Sequence, residues 1–283
     1  MEAPKPGFYR GVSFEDYSRW DAVNHSRLRH LDKTPFHARY EELHPRESSN
    51  YQELGHNIHA ALLEPERFED TFIVAPDVDR RTKAGKAIWA EHVAKANGKT
   101  VLTESDYACL EGLKANAALH ETINGVLYGK GESELSIVWV DQETGLLCKA
   151  RLDRLTKIGS WPFVIDVKST HAPAATYTWQ TAVNKYRLHQ QAAHYLNGIQ
   201  AVAPLEGGEY ARKFAWIVCE TVGPYAVRIF EADDRALEIG RDEVARNLAK
   251  YKACKESGVW PSWDQGMEIV GLPPWAMSRY DLD

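Results

Sequence analysis

The chain has 283 residues, 44% of them hydrophobic and 11% aromatic, which is enough apolar material for a large buried core. Its 34 Lys and Arg against 40 Asp and Glu give a formal charge of −6, which excludes a protein that coats nucleic acid through bulk positive charge but not one that grips it locally. No run approaches the ~20 apolar residues of a membrane span and the first residues lack a secretory apolar region, so a cytoplasmic protein is expected.

After an extended start, Ser13 to Trp20 predicts a short helix, and Asn24-His25-Ser26 offers caps for a second running to Lys33. Thr34 and Pro35 open a third, since proline suits the first helical position. Asn24 to Arg39 is basic, and Arg80, Arg81, Lys83 and Lys86 form a second basic cluster; a solvated face is the plain reading of each. In Tyr51 to Leu63, Leu54, Ile58, Ala61 and Leu62 make an apolar helical stripe with His59 beside it. A histidine in that place is usually a hydrogen-bonded core residue, and only its company makes it a ligand. Phe72 to Val74 is short and apolar, and amphipathic helices are expected over Thr82 to Asn97 and Thr103 to Ile123.

Glu134 to Val140 alternates as a strand, with Glu132 and Glu134 near its start, either a metal ligand or an exposed carboxylate. Gly145 to Thr170 then reads as two strands joined through Thr156 to Trp161. The two-residue repeat puts Leu147, Lys149, Arg151 and Asp153 on one face, and Val164, Asp166 and Lys168 together on another. A lone D-x-K is ordinarily an edge charge and its ion-pair partner. Asp166, however, sits inside the apolar run Phe163 to Val167, where an ionised group is costly unless it binds something. Two converging carboxylates with a lysine beside them suit a hard divalent cation and a phosphate.

A helix is expected from Tyr177 to Ile199, with Arg187, Gln191 and Tyr195 on one stripe. Phe214 to Thr221 and Ala226 to Glu231 predict a second hairpin, Asp233 or Asp234 caps a helix to Ser257, and Trp260, Trp263 and Trp275 read as an ordered aromatic wrap.

Taken in order, His59, Arg151-Leu152-Asp153, Asp166-Val167-Lys168 and Gln191 to Tyr195 resemble the RecB-like branch of the PD-(D/E)xK nucleases. The stretches GFYRGVSFEDY, LGHNIHAALLEPERFEDTFIVAPDVDRRTKAGK, ETGLLCKARLDRL and YRLHQQAAHYLNG are similar to the nuclease region of the RecE, or exonuclease VIII, family. The resemblance implies one α/β domain over 1–283 on an αβββαβ core, a mixed sheet flanked by helices. That core takes in about 50–64 and 132–231, with N-terminal helical additions over 1–125 and a C-terminal helix and tail over 232–283. It implies a Mg²⁺-dependent exonuclease, with Mn²⁺ able to substitute, that digests duplex DNA ends 5′ to 3′. The 3′ overhangs would pass to a single-strand annealing protein of the RecT type in recombination and repair, and the enzyme would be a homo-oligomeric ring. By the same resemblance His59, Asp153, Asp166 and the Val167 carbonyl are metal ligands and Lys168 is catalytic. Gln191 and Tyr195 then position the strand, and Arg151 and Arg187 meet DNA. Cys109, Cys148, Cys219 and Cys254 contain no C-x-x-C pair and do not fit the iron–sulfur relatives, so no cluster is expected. The helix start at Ser26, Arg27 and Arg29 lacks acidic residues, which points to a 5′-phosphate there. An endonuclease on the same core and an inactive DNA-end-binding module are the other readings, distinguished by whether circles are cut or nothing is.

Overall fold

The computed structural model describes residues 4–44, 50–75, 78–206, 211–263, 266–273 and 277. In chain order the first part holds β1 (Gly7–Tyr9), α1 (Phe14–Arg19), α2 (His25–His30), α3 (Pro35–Leu43), α4 (Asn50–Leu63), α5 (Phe68–Thr71) and β2 (Phe72–Val74). There follow α6 (Lys83–Lys95), β3 (Thr100–Leu102), α7 (Glu104–Leu119) and α8 (Glu121–Tyr128). The second part holds β4 (Gly131–Val140), β5 (Leu147–Ile158), β6 (Trp161–Thr170), α9 (Thr176–Lys185), α10 (Leu188–Val202), β7 (Lys213–Glu220), β8 (Val227–Glu231) and α11 (Asp234–Ser257). Caps hold the helix starts: the side chains of Asn24, Thr34, Thr103 and Asp233, read from the sequence, and those of Ser13 and Thr82 each accept a first-turn backbone N–H.

Six strands form one sheet in the order β1-β4-β5-β6-β7-β8, antiparallel except for the β6–β7 pair. That parallel pair needs a crossover, which α9 and α10 supply. On one face α2, α3, α9, α10 and α11 enclose a core that includes Leu28, Leu152, Val164, Ala192 and Phe214. On the other, α4, α5, α7 and α8 enclose Ile58, Leu62, Leu110, Ile165 and Ile217. This is the expected mixed sheet between helical layers. Two glycines set the spacing of the first layer. A Cβ on Gly198 would meet Ile137 Cδ1 of β4 at 2.7 Å, and one on Gly240 would meet the His189 carbonyl oxygen at 2.4 Å. α10 is thereby drawn onto the sheet and α11 onto α10.

Three expectations about elements are corrected. The hairpin turn lies at Gly159 and Ser160, because Ile158 already pairs with Trp161 and Gly159 takes φ +60°. The helix from Thr103 stops at Leu119, where His120 is extended and caps α8. The helix from Tyr177 breaks at Tyr186 and Arg187, which adopts φ 55° and starts α10. Trp260 packs on Tyr251, and Trp263 meets His37 but stays largely exposed; Trp275 lies outside the described residues. No helix of the described residues is long and apolar enough to cross a membrane.

His194 of α10 is fully buried against Trp139, and burial lowers its pKa to about 4. Its folded pKa lies below the unfolded value, so its contribution is fully present above pH 6.5 and is lost as pH falls towards 4. At pH 5 that loss is about 2 kcal/mol. Urea unfolding of wild type and His194→Gln at pH 7 and pH 5 tests this: wild type is expected to lose the larger share of its stability by about that amount.

Candidate active site

β5 has one edge paired to β4 from Leu147 to Thr156. Its other edge is shared. β6 pairs with it from Ile158 to Arg154, while Val23 bridges at Cys148, donating its N–H to Leu147 O at 2.8 Å and accepting from Lys149 N at 2.8 Å. Between these contacts, residues 150–153 have no ladder partner on that edge among the described residues. The Asp153 carboxylate closes the gap, its Oδ2 accepting the Val167 N–H of β6 at 2.7 Å. Asp153 is buried, and desolvation raises its pKa to about 6, with His59 pulling it down and Asp166 pushing it up.

His59 reaches this gap from α4, whose Ile58, Ala61 and Leu62 are seated in the core. Its Nε2 lies 2.9 Å from the Val167 carbonyl oxygen and its Nδ1 lies 3.5 Å from Asp153 Oδ2. A carbonyl accepts only, so Nε2 is the donor in that contact, while Nδ1 faces the Asp153 carboxylate. Opposite stands Glu134. The β4–β5 register is unchanged from Ser133↔Arg154 to Leu135↔Leu152 but has no Glu134 pair, and Glu134 takes φ 55°, a left-handed conformation that costs a non-glycine residue about 1 kcal/mol. Arg151 Nε donates to its Oε2 at 2.5 Å. One ligand atom from each of His59, Glu134 and Asp153 lies within 4.8 Å of the other two.

Asp166, 1% exposed, faces α10. Gln191 Nε2 donates to Asp166 Oδ1 at 3.0 Å and to the Tyr195 hydroxyl oxygen at 3.1 Å. The Lys168 ammonium forms an ion pair with Asp166 Oδ2, an oxygen that has no partner in hydrogen-bond geometry. Burial pushes the Tyr195 phenol well up, so it stays protonated and able to donate. Asp166 does not fall within the His59–Glu134–Asp153 trio; Lys168 and Gln191 hold it at the trio's side.

The expected DNA contacts are differently placed. Arg187 does not share a helical stripe with Gln191 and Tyr195, because it precedes α10 in the left-handed region; its guanidinium is bound by Asp32 at 3.0 Å and Glu243 at 3.2 Å. Arg151 is occupied by Glu134 and by the Val12 carbonyl oxygen at 2.6 Å. At α2, Asn24 caps Arg27 N, and the Arg27 side chain faces Glu42 at 3.4 Å and Asp21 at 3.5 Å. The negative charge that the sequence of that turn lacks thus comes from elsewhere in the chain, while Ser26 and Arg29 are exposed. Glu132 pairs with Arg10 at the surface, away from the trio.

One residue escaped the sequence reading. Lys149 is buried, its Nζ donating to the carbonyl oxygens of Tyr17 at 2.7 Å and Trp20 at 2.8 Å, so it ties the end of α1 to β5 and fixes the Val23 edge of the gap. Burial lowers its pKa to about 8. A lysine between Cys148 and Ala150 in an apolar strand was the available signal.

An imidazole, carboxylates and a backbone carbonyl are a donor set for a hard divalent cation. The 2.9 Å from Nε2 to the Val167 oxygen is close to the ~3 Å between neighbouring ligands of an octahedral ion bound at ~2.1 Å. His59, Asp153, Glu134 and the Val167 carbonyl, with Asp166 beside them, therefore fit such an ion. The model of a family described as a PDDEXK-like domain of unknown function (DUF3799) matches residues 24–270. No curated protein matches the sequence significantly. Among solved structures, a protein from Eubacterium rectale provisionally described as an exonuclease superposes with a TM-score of 0.58 at 13% identity, over 97% of this chain and 100% of that one. A second structure, of SSO0001, reaches 0.30 at 14% identity over 77% and 74% of the two chains, too low for a shared fold to be read from it.

The positive φ separates two roles of Glu134. Both Glu134→Gly and Glu134→Ala remove the carboxylate, and each is expected to weaken Mn²⁺ binding measured by calorimetry. In the metal-free proteins the glycine variant is expected to be the more stable by about 1 kcal/mol, the reverse of the usual order in a strand, because only glycine accepts φ 55° without cost. Equal Mn²⁺ affinity in wild type and both variants would remove Glu134 from the site.

Proposed function

Because the chain belongs to the family of PDDEXK-like domains, we propose that it is a divalent-metal-dependent nuclease, of the RecE kind, that digests duplex DNA from its ends. In this reading it works 5′ to 3′ with Mg²⁺ in the cytoplasm, as a homo-oligomeric ring, and leaves 3′ overhangs for an annealing protein of the RecT type. The observation that carries the nuclease reading is the meeting of His59, Asp153 and the Asp166–Lys168 pair where β5 and β6 part.

When bound, a divalent cation supplies Lewis-acid polarisation of a phosphate and acidifies water. The chain supplies the rest. Lys168 is 26% exposed at its side chain while Asp166 is 2%, so the ammonium stands on the solvent side of its partner, where it can orient water and offset charge building on phosphorus. Gln191 fixes Asp166 with an amide donor, and Tyr195, kept as a phenol, has its hydroxyl proton free for a phosphate oxygen. Asp153 holds its place through the Val167 N–H.

Linear, nicked and closed circular duplexes with either 5′ or 3′ label, incubated with Mg²⁺ or with EDTA, test the reading. Linear DNA alone is expected to be degraded, from the 5′ end and only with metal. Lys168→Ala and Asp166→Asn, shown to be folded, should lose ~10²-fold or more in rate. Cutting of closed circles would make the protein an endonuclease, and no cutting of any substrate would make it a binding module.

A further inference from the structure

Helix α6 buries almost nothing. Of its thirteen residues only Gly85 is buried, and what it touches is the carbonyl of Asp79 and the side chain of Thr82 in its own leading turn. Ile88 and Val93 stand 39% and 50% exposed, and the alanines at 84, 87, 90 and 94 are all at the surface. An isolated helix of this length is marginal in water, since most helical stability in proteins comes from packing an apolar face. The charge is equally uneven. Residues 79–99 carry six Lys and Arg against Asp79 and Glu91, in a chain where carboxylates outnumber cations. Arg80 covers the face of Trp89 at 4.1 Å, and Lys83 and Lys86 occupy a first turn with no acidic residue.

The segment is rooted at the site. β2 and β3, the strands on either side of α6, pair in parallel through Phe72↔Thr100 and Val74↔Leu102. Phe72 and Leu102 are buried in the layer that holds Ile58 and Leu62 of α4, the helix that carries His59. α6 is thus an arm fastened to the wall of the candidate metal site, with small and cationic residues along its exposed side.

We propose that α6 and the turn before it are a duplex-binding arm, which lies against the phosphate backbone of the DNA whose end is in the site. This rests on the nuclease reading. Exposed alanines let a polyphosphate backbone approach the helix closely, and Arg80, Lys83 and Lys86 meet it with charge of the opposite sign.

The test is the salt dependence of binding, by fluorescence anisotropy, of a blunt duplex to wild type and to Arg80→Gln/Lys83→Gln/Lys86→Gln, both in EDTA so that nothing is cut. Mn²⁺ affinity serves as a check that the site is intact. Each phosphate contact contributes ~0.9 to the slope of log K against log salt, so the triple variant is expected to lose ~2.7 from that slope with unchanged Mn²⁺ affinity. An unchanged slope with intact duplex binding would overturn the arm and leave the nuclease reading standing. So would an unchanged slope accompanied by a fall in oligomer size, which would make a second copy the occupant. Failure of wild type to bind duplex both in EDTA and with Ca²⁺ in place of Mg²⁺ would overturn the nuclease reading, and the arm with it.

Discussion

The site depends on one buried hydrogen bond, from the Val167 N–H of β6 to the carboxylate of Asp153 on β5. It stands where the β5–β6 ladder ends, so a side chain does what a backbone carbonyl does elsewhere in the sheet. That substitution lets the strands part without leaving a buried N–H unpaired. It also turns the Val167 carbonyl towards His59 and brings Lys168 and Asp166 next to the gap. The cost falls on Asp153. Its pKa is raised to about 6, so the folded protein binds more protons than the unfolded chain between about pH 4 and 6, and stability declines as pH rises through that window, by about 3 kcal/mol in all. A bound cation favours the charged carboxylate and offsets that loss.

The surrounding charges are held by one another. Glu134 is engaged by Arg151, Asp166 by Lys168 and Gln191, and Asp153 by His59 and a backbone N–H. Local costs gather at the same place. Glu134 and Arg187 both adopt positive φ, and each is kept there by charged partners, Arg151 for the first and Asp32 with Glu243 for the second. Arg187 begins the helix that presents Gln191 and Tyr195, and Gly198 and Gly240 let that helix be clamped between β4 and α11. Both walls of the site are therefore positioned by packing that lies outside it.

Much of this was legible in the sequence, for stated reasons. Two-residue periodicity around Asp153 and Asp166 gave the central strands, and the caps at Thr34, Thr103 and Asp233 gave helix starts, because both signals are local. The misses at the site are non-local. Nothing in the run from Tyr177 to Ile199 marks Arg187 as left-handed; the conformation is fixed by Asp32 and Glu243, distant in sequence. Arg27 looked short of an anion because Glu42 belongs to the next helix. Glu134 stood as either a metal ligand or an exposed carboxylate, since nothing in the strand pattern marks its left-handed backbone. Lys149 looked like a polar-face lysine, and only the folded α1 supplies the carbonyls that it caps.

A divalent ion is expected where β5 and β6 part, and a crystal grown with Mn²⁺ tests that most directly through its anomalous scattering. A single strong peak should appear, bounded by His59, Asp153, Glu134 and the Val167 carbonyl oxygen, with the Nε2 to Val167 hydrogen bond gone. A peak elsewhere, or none at that position with the hydrogen bond intact, would contradict it.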